Sequence, residues 1–105
     1  MSEIRADGAY ATSINTFRCH PSHQDEVVAT NIDIVDQVAS HFPGFISAAV
    51  HRSSDGTRVF DYLQWRSAEH LAAMQRSAEF QAVARRFAGL IEFEPRQCEV
   101  VHVAG

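Results

Sequence analysis

The sequence predicts one α+β domain. Four strands form a single antiparallel sheet and helical segments cover one of its faces, in the order β-α-β-β-α-β. Three observations carry that expectation. The chain has 105 residues, which is room for one domain with a modest core. The apolar pattern changes from strand-like alternation to helical spacing and back, twice. The stretch Arg58–Arg66, RVFDYLQWR, places Val59, Asp61, Leu63 and Trp65 on one face and Phe60, Tyr62 and Gln64 on the other. A strand with large side chains on both faces cannot leave either face to water.

Taken in order, Met1–Gly8 is polar and reads as a flexible extension, with the domain spanning residues 9–105. Ala9–Cys19 has β-type composition, with Ala11, Ser13, Asn15 and Phe17 alternating against Tyr10, Thr12, Ile14 and Thr16. Pro21 breaks it. Ser22 is an expected N-cap, followed by Asp25 and Glu26 in a first turn where the helix dipole favours negative charge. Val27, Val28, Ile34, Val35 and Val38 form a helical stripe, bridged by Asn31 and Ile32, that should stop before Pro43-Gly44. Phe45–Ser53 is the second strand, and Asp55-Gly56 supplies the positive φ of a hairpin turn into the third. Ser67 caps a second helix with Leu71 and Met74 inward; Ser77 restarts a helical run carrying Phe80, Val83, Ala84 and Phe87, which Gly89 ends. Leu90–Pro95 is expected as a loop and Arg96–Val103 as the fourth strand.

This element order is the ferredoxin-like split βαβ arrangement, with strand order 4-1-3-2. It is expected to bring Cys19 near Cys98, where a disulfide is conceivable and two free thiols are favoured in a cytoplasmic protein. Helices can cover only one face of the sheet. Ile14, Ile46, Ala48, Val50, Phe60 and Tyr62 are assigned to the other, and packing it against a second subunit gives a homodimer, a dimeric α+β barrel.

Composition narrows the function classes. A net charge of −4 and no run of basic residues argue against nucleic acid or an anionic membrane as partner. No signal-peptide core and no long apolar run occur, so a cytoplasmic location is expected. The two cysteines form no CxxC motif and the six histidines are scattered, so no metal site is expected. Chemistry is concentrated on strand 3. Asp61 is a carboxylate two residues along the same face from Trp65, whose indole N–H needs a partner if buried.

Several short motifs in order, Pro43-Gly44-Phe45, His51–Thr57 (HRSSDGT), and the strand ending in Trp65 followed by Arg66-Ser67, resemble the antibiotic biosynthesis monooxygenase superfamily over Ala11–Val103. The resemblance implies a dimeric α+β barrel. It also implies a small oxygenase that converts anthrone-type polycyclic aromatics to quinones with O2, using neither metal nor flavin. Asn15 and Trp65 match a polar pair beside the reacting carbonyl, and His51 matches a His found in some members before the hairpin turn. Where such enzymes carry an Asn four residues before the Trp, this chain has Asp61. Leu71 stands where some have a Tyr, and Gln81 where some have an Arg, with Arg85 and Arg86 one turn further on.

The expected site is therefore Asn15, Asp61 and Trp65 as the catalytic group, with Phe17, His51, Leu71, Phe80, Arg85 and Phe87 around a small aromatic substrate. Asp61 has two readings: a general base with a raised pKa, or a structural carboxylate bonded within the sheet or paired with Arg85 or Arg86. Trp65 is a hydrogen-bond donor by resemblance and a core aromatic on its own pattern. By its own pattern His51 is a solvated hairpin residue. Haem degradation occurs in the same superfamily but needs an axial His where this chain has Ala84, and His70 falls too early. A non-catalytic aromatic-binding barrel and a polyketide cyclase are the other readings.

Overall fold

A computed structural model of the chain describes residues 10–105; the expected extension 1–8 and the Ala9 start of the first strand lie outside the described residues. The elements are β1 (Ala11–Cys19), α1 (Gln24–Asp33), β2 (Phe45–Arg52), β3 (Arg58–Trp65), α2 (Ala68–Gln75), α3 (Ala78–Ala84) and β4 (Ile91–Cys98). The sheet is antiparallel in the order β2-β3-β1-β4. This is the ferredoxin-like α+β fold, with its helical second half divided between α2 and α3.

The chain enters α1 through a short 3-10 turn, Pro21–His23. His20 caps that turn, its Nδ1 accepting from the Ser22 amide at 3.1 Å, and α1 itself starts after His23 with no side-chain cap, so the expected Ser22 cap is not made. Gln24 then ties the helix to the hairpin, its Nε2 donating to the carbonyls of Ser53 and Arg58, both at 3.0 Å. Past Asp33 the helix widens into a π turn over Ile34–Val38 and tightens over Ala39–His41. Both serine caps of the second half are made, Ser67 Oγ accepting from the His70 amide and Ser77 Oγ from the Phe80 amide.

The hairpin between β2 and β3 is built on Asp55. Its Oδ1 accepts from Thr57 N (3.0 Å), Thr57 Oγ1 (2.7 Å) and Ser53 Oγ (2.7 Å), and Gly56 takes φ +81°. From there the register of β3 is fixed. Val59, Asp61, Leu63 and Trp65 all face the helices and all are buried, as their alternation predicts.

Three expectations about the sheet are corrected. First, β4 begins at Ile91, so Leu90–Pro95 is largely strand and Val100–Val103 lies beyond it. Ile91 and Phe93 pair with Cys19 and Phe17 on the helix-facing side, with Glu92 and Glu94 outward. Pro95 is tolerated because β4 is an edge strand, which can spare one ladder N–H. Second, that shift separates the thiols: Cys19 lies opposite Ile91 and Cys98 opposite Thr12, at opposite ends of the strand pair, and both are free. Third, a bulge at Ile46 shifts the register between Phe45 and Ser47. One extra residue inverts the alternation beyond it. Ala48 and Val50 therefore face the helices, opposite Leu63 and Asp61, and pack on the core, while Ser47, Ala49 and His51 take the other face.

The helix-facing side of the sheet forms cross-strand rows. Ala11–Trp65 and Ser13–Leu63 lead into a cluster of Val38, Ala39, Leu63, Trp65, Leu71 and Met74. Phe17–Val59 belongs to a second cluster with Val27. The row between the two apolar groups is Asn15–Asp61. The core is interrupted at that row.

Candidate active site

A cavity of about 260 Å³ opens where the core is interrupted, between the sheet and the helices. β1 and β3 supply its floor with Ser13, Asn15, Phe17, Asp61 and Leu63; α1 and its π turn add Asn31 and Ile34; α2, α3 and the turn after them add Leu71, Met74, Gln75, Phe80, Ala84 and Phe87; β4 closes one side with Ile91 and Phe93. Most of this lining is apolar. Phe17 lies between two rings, 5.1 Å from Phe87 and 5.0 Å from Phe93 by centroid, a tilted aromatic wall suited to a flat ligand. Phe93 is 51% exposed, which places it at the mouth.

Against that wall stands a short polar chain. Ser13 Oγ donates to Asn15 Oδ1 at 3.1 Å, and Asn15 Nδ2 donates to Asp61 Oδ1 at 2.6 Å. The Ser13 bond sets which way the Asn15 carboxamide points. Its oxygen is occupied by the hydroxyl, so its NH2 is presented to the carboxylate. Asp61 is only 7% exposed. Loss of hydration pushes its carboxyl up from 3.8 to about 7, against the opposing pull of the Asn15 hydrogen bond. No arginine reaches it among the described residues. Arg86 is held elsewhere, its Nη1 at 2.6 Å from Asp33 Oδ2 on α1, and Arg85 is exposed in the turn after α3.

The remaining expected site residues are placed as follows. Phe17, Leu71, Phe80 and Phe87 line the cavity with Asn15 and Asp61, and Arg85 does not. His51 lies opposite Phe60 on the other face of the sheet, exposed, because the Ile46 bulge turns it there. Trp65 is fully buried behind the cavity wall, in an edge-to-face contact with Phe45 at 5.6 Å, and it does not line the cavity. Its Nε1 has no hydrogen-bond partner among the described residues. No histidine lines the cavity among the described residues, and Ala84 does. His70 instead bonds Ser67 Oγ through Nδ1 at 2.7 Å and packs against Gly44. Among the described residues no group of three or more His, Cys, Asp or Glu is arranged to hold a metal ion.

Sequence reading did not single out Asn31, Gln75 or Phe93 as site residues. Asn31 sits in the apolar stripe of α1 and is 1% exposed, and a polar residue at a stripe position is itself the signal. Phe93 was hidden by the misplaced start of β4.

The family model for antibiotic biosynthesis monooxygenases matches residues 11–86, from the first residue of β1 to the turn after α3. The chain belongs to that family. It is 33% identical over 105 residues to the tetracenomycin-F1 monooxygenase of Streptomyces glaucescens, an alignment covering 100% of this chain and 94% of that one. Among solved structures it shares its fold with SnoaB, a cofactor-independent oxygenase from Streptomyces nogalater, at a TM-score of 0.74 and 17% identity over 90% of this chain and 96% of that one. It also shares it with a putative antibiotic biosynthesis monooxygenase from Nitrosomonas europaea, at a TM-score of 0.81 and 14% identity over 97% of this chain and 100% of that one. The family is thus carried by sequence along most of the chain, and the structural likenesses extend the fold through β4.

Proposed function

We propose that this protein is a cofactor-independent monooxygenase that oxidises a polycyclic aromatic ketone of the anthrone type to a quinone with O2. The observation that supports it is a buried carboxylate, Asp61, held by Asn15 in a mostly apolar cavity walled by phenylalanines. The names of the similar proteins, a tetracenomycin-F1 monooxygenase and a cofactor-independent oxygenase, point the same way.

The chemistry asks little of the protein beyond a base, a dry site and orientation. An anthrone CH2 flanked by aromatic rings and conjugated with a ketone is acidic for a C–H bond. Asp61, titrating near pH 7, takes one of its protons. The resulting delocalised carbanion transfers one electron to O2, and the radical pair recombines to form a C–OO bond. The peroxide takes up a proton, which protonated Asp61 can return. Loss of the remaining C–H proton with cleavage of the O–O bond releases one water and leaves the new carbonyl, so that CH2 plus O2 becomes C=O plus H2O. The Asn15 amide stays close to the carboxylate throughout and offers a donor to developing negative charge. A phenylalanine-walled cavity excludes water from the carbanion and the peroxide.

Ligand sites generally span about 300–1,000 Å³, so a cavity of about 260 Å³ is a small one that holds the reacting part of a flat ligand, with the rest extending past Phe93. We assign the opposite sheet face, which carries Ile14, Phe60 and Tyr62, to a homodimer interface. Ile14 is 36% exposed there. Beyond the family, the cytoplasmic location remains part of the same proposal; no helix among the described residues is long and apolar enough to cross a membrane.

The test is O2 uptake by the purified, chelator-treated protein with a panel of anthrones. Uptake with quinone formation is expected, reduced by about 10²-fold or more in Asp61→Asn, the range for loss of a positioned base. Unchanged turnover in that variant would remove Asp61 as the base. No uptake above the spontaneous rate with any substrate would remove the oxygenase reading and leave ligand binding or cyclisation.

A further inference from the structure

The cavity has a second polar pole that the reaction above does not use. Asn31 projects from α1 into the cavity lining, across from the floor that carries Asn15 and Asp61. It is 1% exposed. Its Nδ2 donates to the Val27 carbonyl one turn back, at 3.0 Å. That bond consumes a donor and fixes the amide orientation, because only the NH2 side can face a carbonyl oxygen. The carboxamide oxygen accepts no hydrogen bond among the described residues. A helix stripe position would ordinarily hold an apolar residue, and a carboxamide oxygen there that no protein donor reaches is left to whatever occupies the cavity. Of the other polar side chains in the lining, Ser13 and Asn15 are bonded into the chain that ends on Asp61, and Gln75 makes no hydrogen bond to Asn31 among the described residues.

We infer that Asn31 determines ligand specificity, accepting a hydrogen bond from a phenolic hydroxyl of the bound aromatic. This deepens the proposed function, on which it rests for the orientation of the ligand. The ligand class it selects is a hydroxylated aromatic ketone whose hydroxyl is free to donate. A hydroxyl beside the ketone, already bonded to its own carbonyl, would not satisfy Asn31.

The experiment uses a matched pair of bicyclic ketones in which one group differs, 6-hydroxy-1-tetralone and 6-methyl-1-tetralone. Binding is measured by calorimetry at pH 6, where the phenol is protonated. Neither probe need be oxidised, so the result does not depend on turnover. Wild-type protein is expected to prefer the hydroxyl probe by about five- to tenfold, the fold-change of one net hydrogen bond. Asn31→Leu and Asn31→Ala are each expected to bring the ratio to about one while the methyl probe still binds. Equal binding of the two probes to wild type, binding of neither, or a preference that survives both substitutions would overturn the inference. The wild-type comparison stands even if a variant fails to fold. Absence of O2 uptake together with an Asn31-dependent preference would remove the reaction and keep the selectivity; uptake without that preference would do the reverse.

Discussion

Replacing Asp61 by Asn should make the protein more stable near neutral pH and change how its stability depends on pH. In the folded protein the carboxyl is raised from 3.8 to about 7 by loss of hydration. In the unfolded chain it titrates near 4. Between these values the folded state keeps a proton that the unfolded state has released. Stability from this group is therefore fully present at and below about pH 4, and it is lost as pH rises through about 7. Each pH unit inside that window is worth about 1.4 kcal/mol, so the whole span amounts to roughly 4 kcal/mol. Asn15 keeps an acceptor in the variant, because an Asn carbonyl can replace the carboxylate oxygen that now lies at 2.6 Å. The substitution therefore removes the titration without orphaning its neighbour.

The assay is urea unfolding of wild type and Asp61→Asn at fixed protein concentration from pH 4.5 to 8. Taking the difference between the two proteins cancels the other carboxylates. Staying above pH 4 also avoids Asp55, whose carboxyl the Thr57 hydroxyl and amide and the Ser53 hydroxyl hold at about 2. That group acts with the opposite sign, its contribution being present above pH 4 and lost only as pH falls toward 2. The variant should gain on the wild type steadily from pH 4.5 to 7, by roughly 3–4 kcal/mol, and then level off. Parallel curves would show that Asp61 titrates alike in both states, and the argument from burial would fail with them.

Other outcomes follow from particular contacts. Asn15→Leu removes the one hydrogen bond that lowers the Asp61 pKa, so the rise of oxygenase activity with pH should move to higher pH as well as weaken; a pH–rate profile of O2 uptake reads both. Ser77→Ala deletes the cap of α3, which carries Phe80 and Ala84 of the cavity wall, and should cost about 1 kcal/mol, seen as a thermal midpoint lower by roughly 4 °C. Gly44→Ala meets two obstacles, a φ of +87° and the His70 ring where the new methyl would lie. It should destabilise by about 2 kcal/mol or more, beyond the 1–2 kcal/mol of the left-handed backbone alone. Adding His70→Ala should recover the steric part and leave the backbone part, which a double-mutant cycle of urea midpoints separates.

How much of this was legible depended on whether the signal was local. The inward set of β3 could be read because Asp55-Gly56 fixes the hairpin and alternation then assigns every side chain. The caps at Ser67 and Ser77 are equally local. The bulge at Ile46 has no such marker in Phe45-Ile46-Ser47, and everything beyond it on β2 was assigned to the wrong face. That one residue accounts for Ala48 and Val50 facing the helices, and for His51 being turned away from the cavity. At β4 the expected start at Arg96 lies past Pro95, and only the strand order makes β4 an edge and so makes a proline within it acceptable. Trp65 was read from its resemblance as reaching the ligand. Its place in the Ala11 row, behind Leu63 and Leu71, could not be judged before the cavity was located.

The interruption of the core carries a further implication. A sheet that only needed stability would fill the row between Trp65–Leu63 and Val59 with branched apolar residues and join the two clusters. Instead the row holds Asn15 and Asp61, and the carboxylate is destabilising at the pH where it is charged. A structural role for Asp61 would call for a strong partner, such as an arginine or several backbone amides. Among the described residues its side-chain hydrogen-bond partner is one neutral carboxamide, while Arg86 is committed to Asp33 and Glu26. Local stability and local pattern are both sacrificed at the same position, as is usual where a site has been placed in a core. The same absence of a strong partner leaves the carboxyl titrating near neutrality, which is the property a general base needs. The cavity, the raised pKa and the loss of stability are three consequences of one row of the sheet, so the stability measurement on Asp61→Asn and the turnover measurement on the same variant test a single cause from two sides.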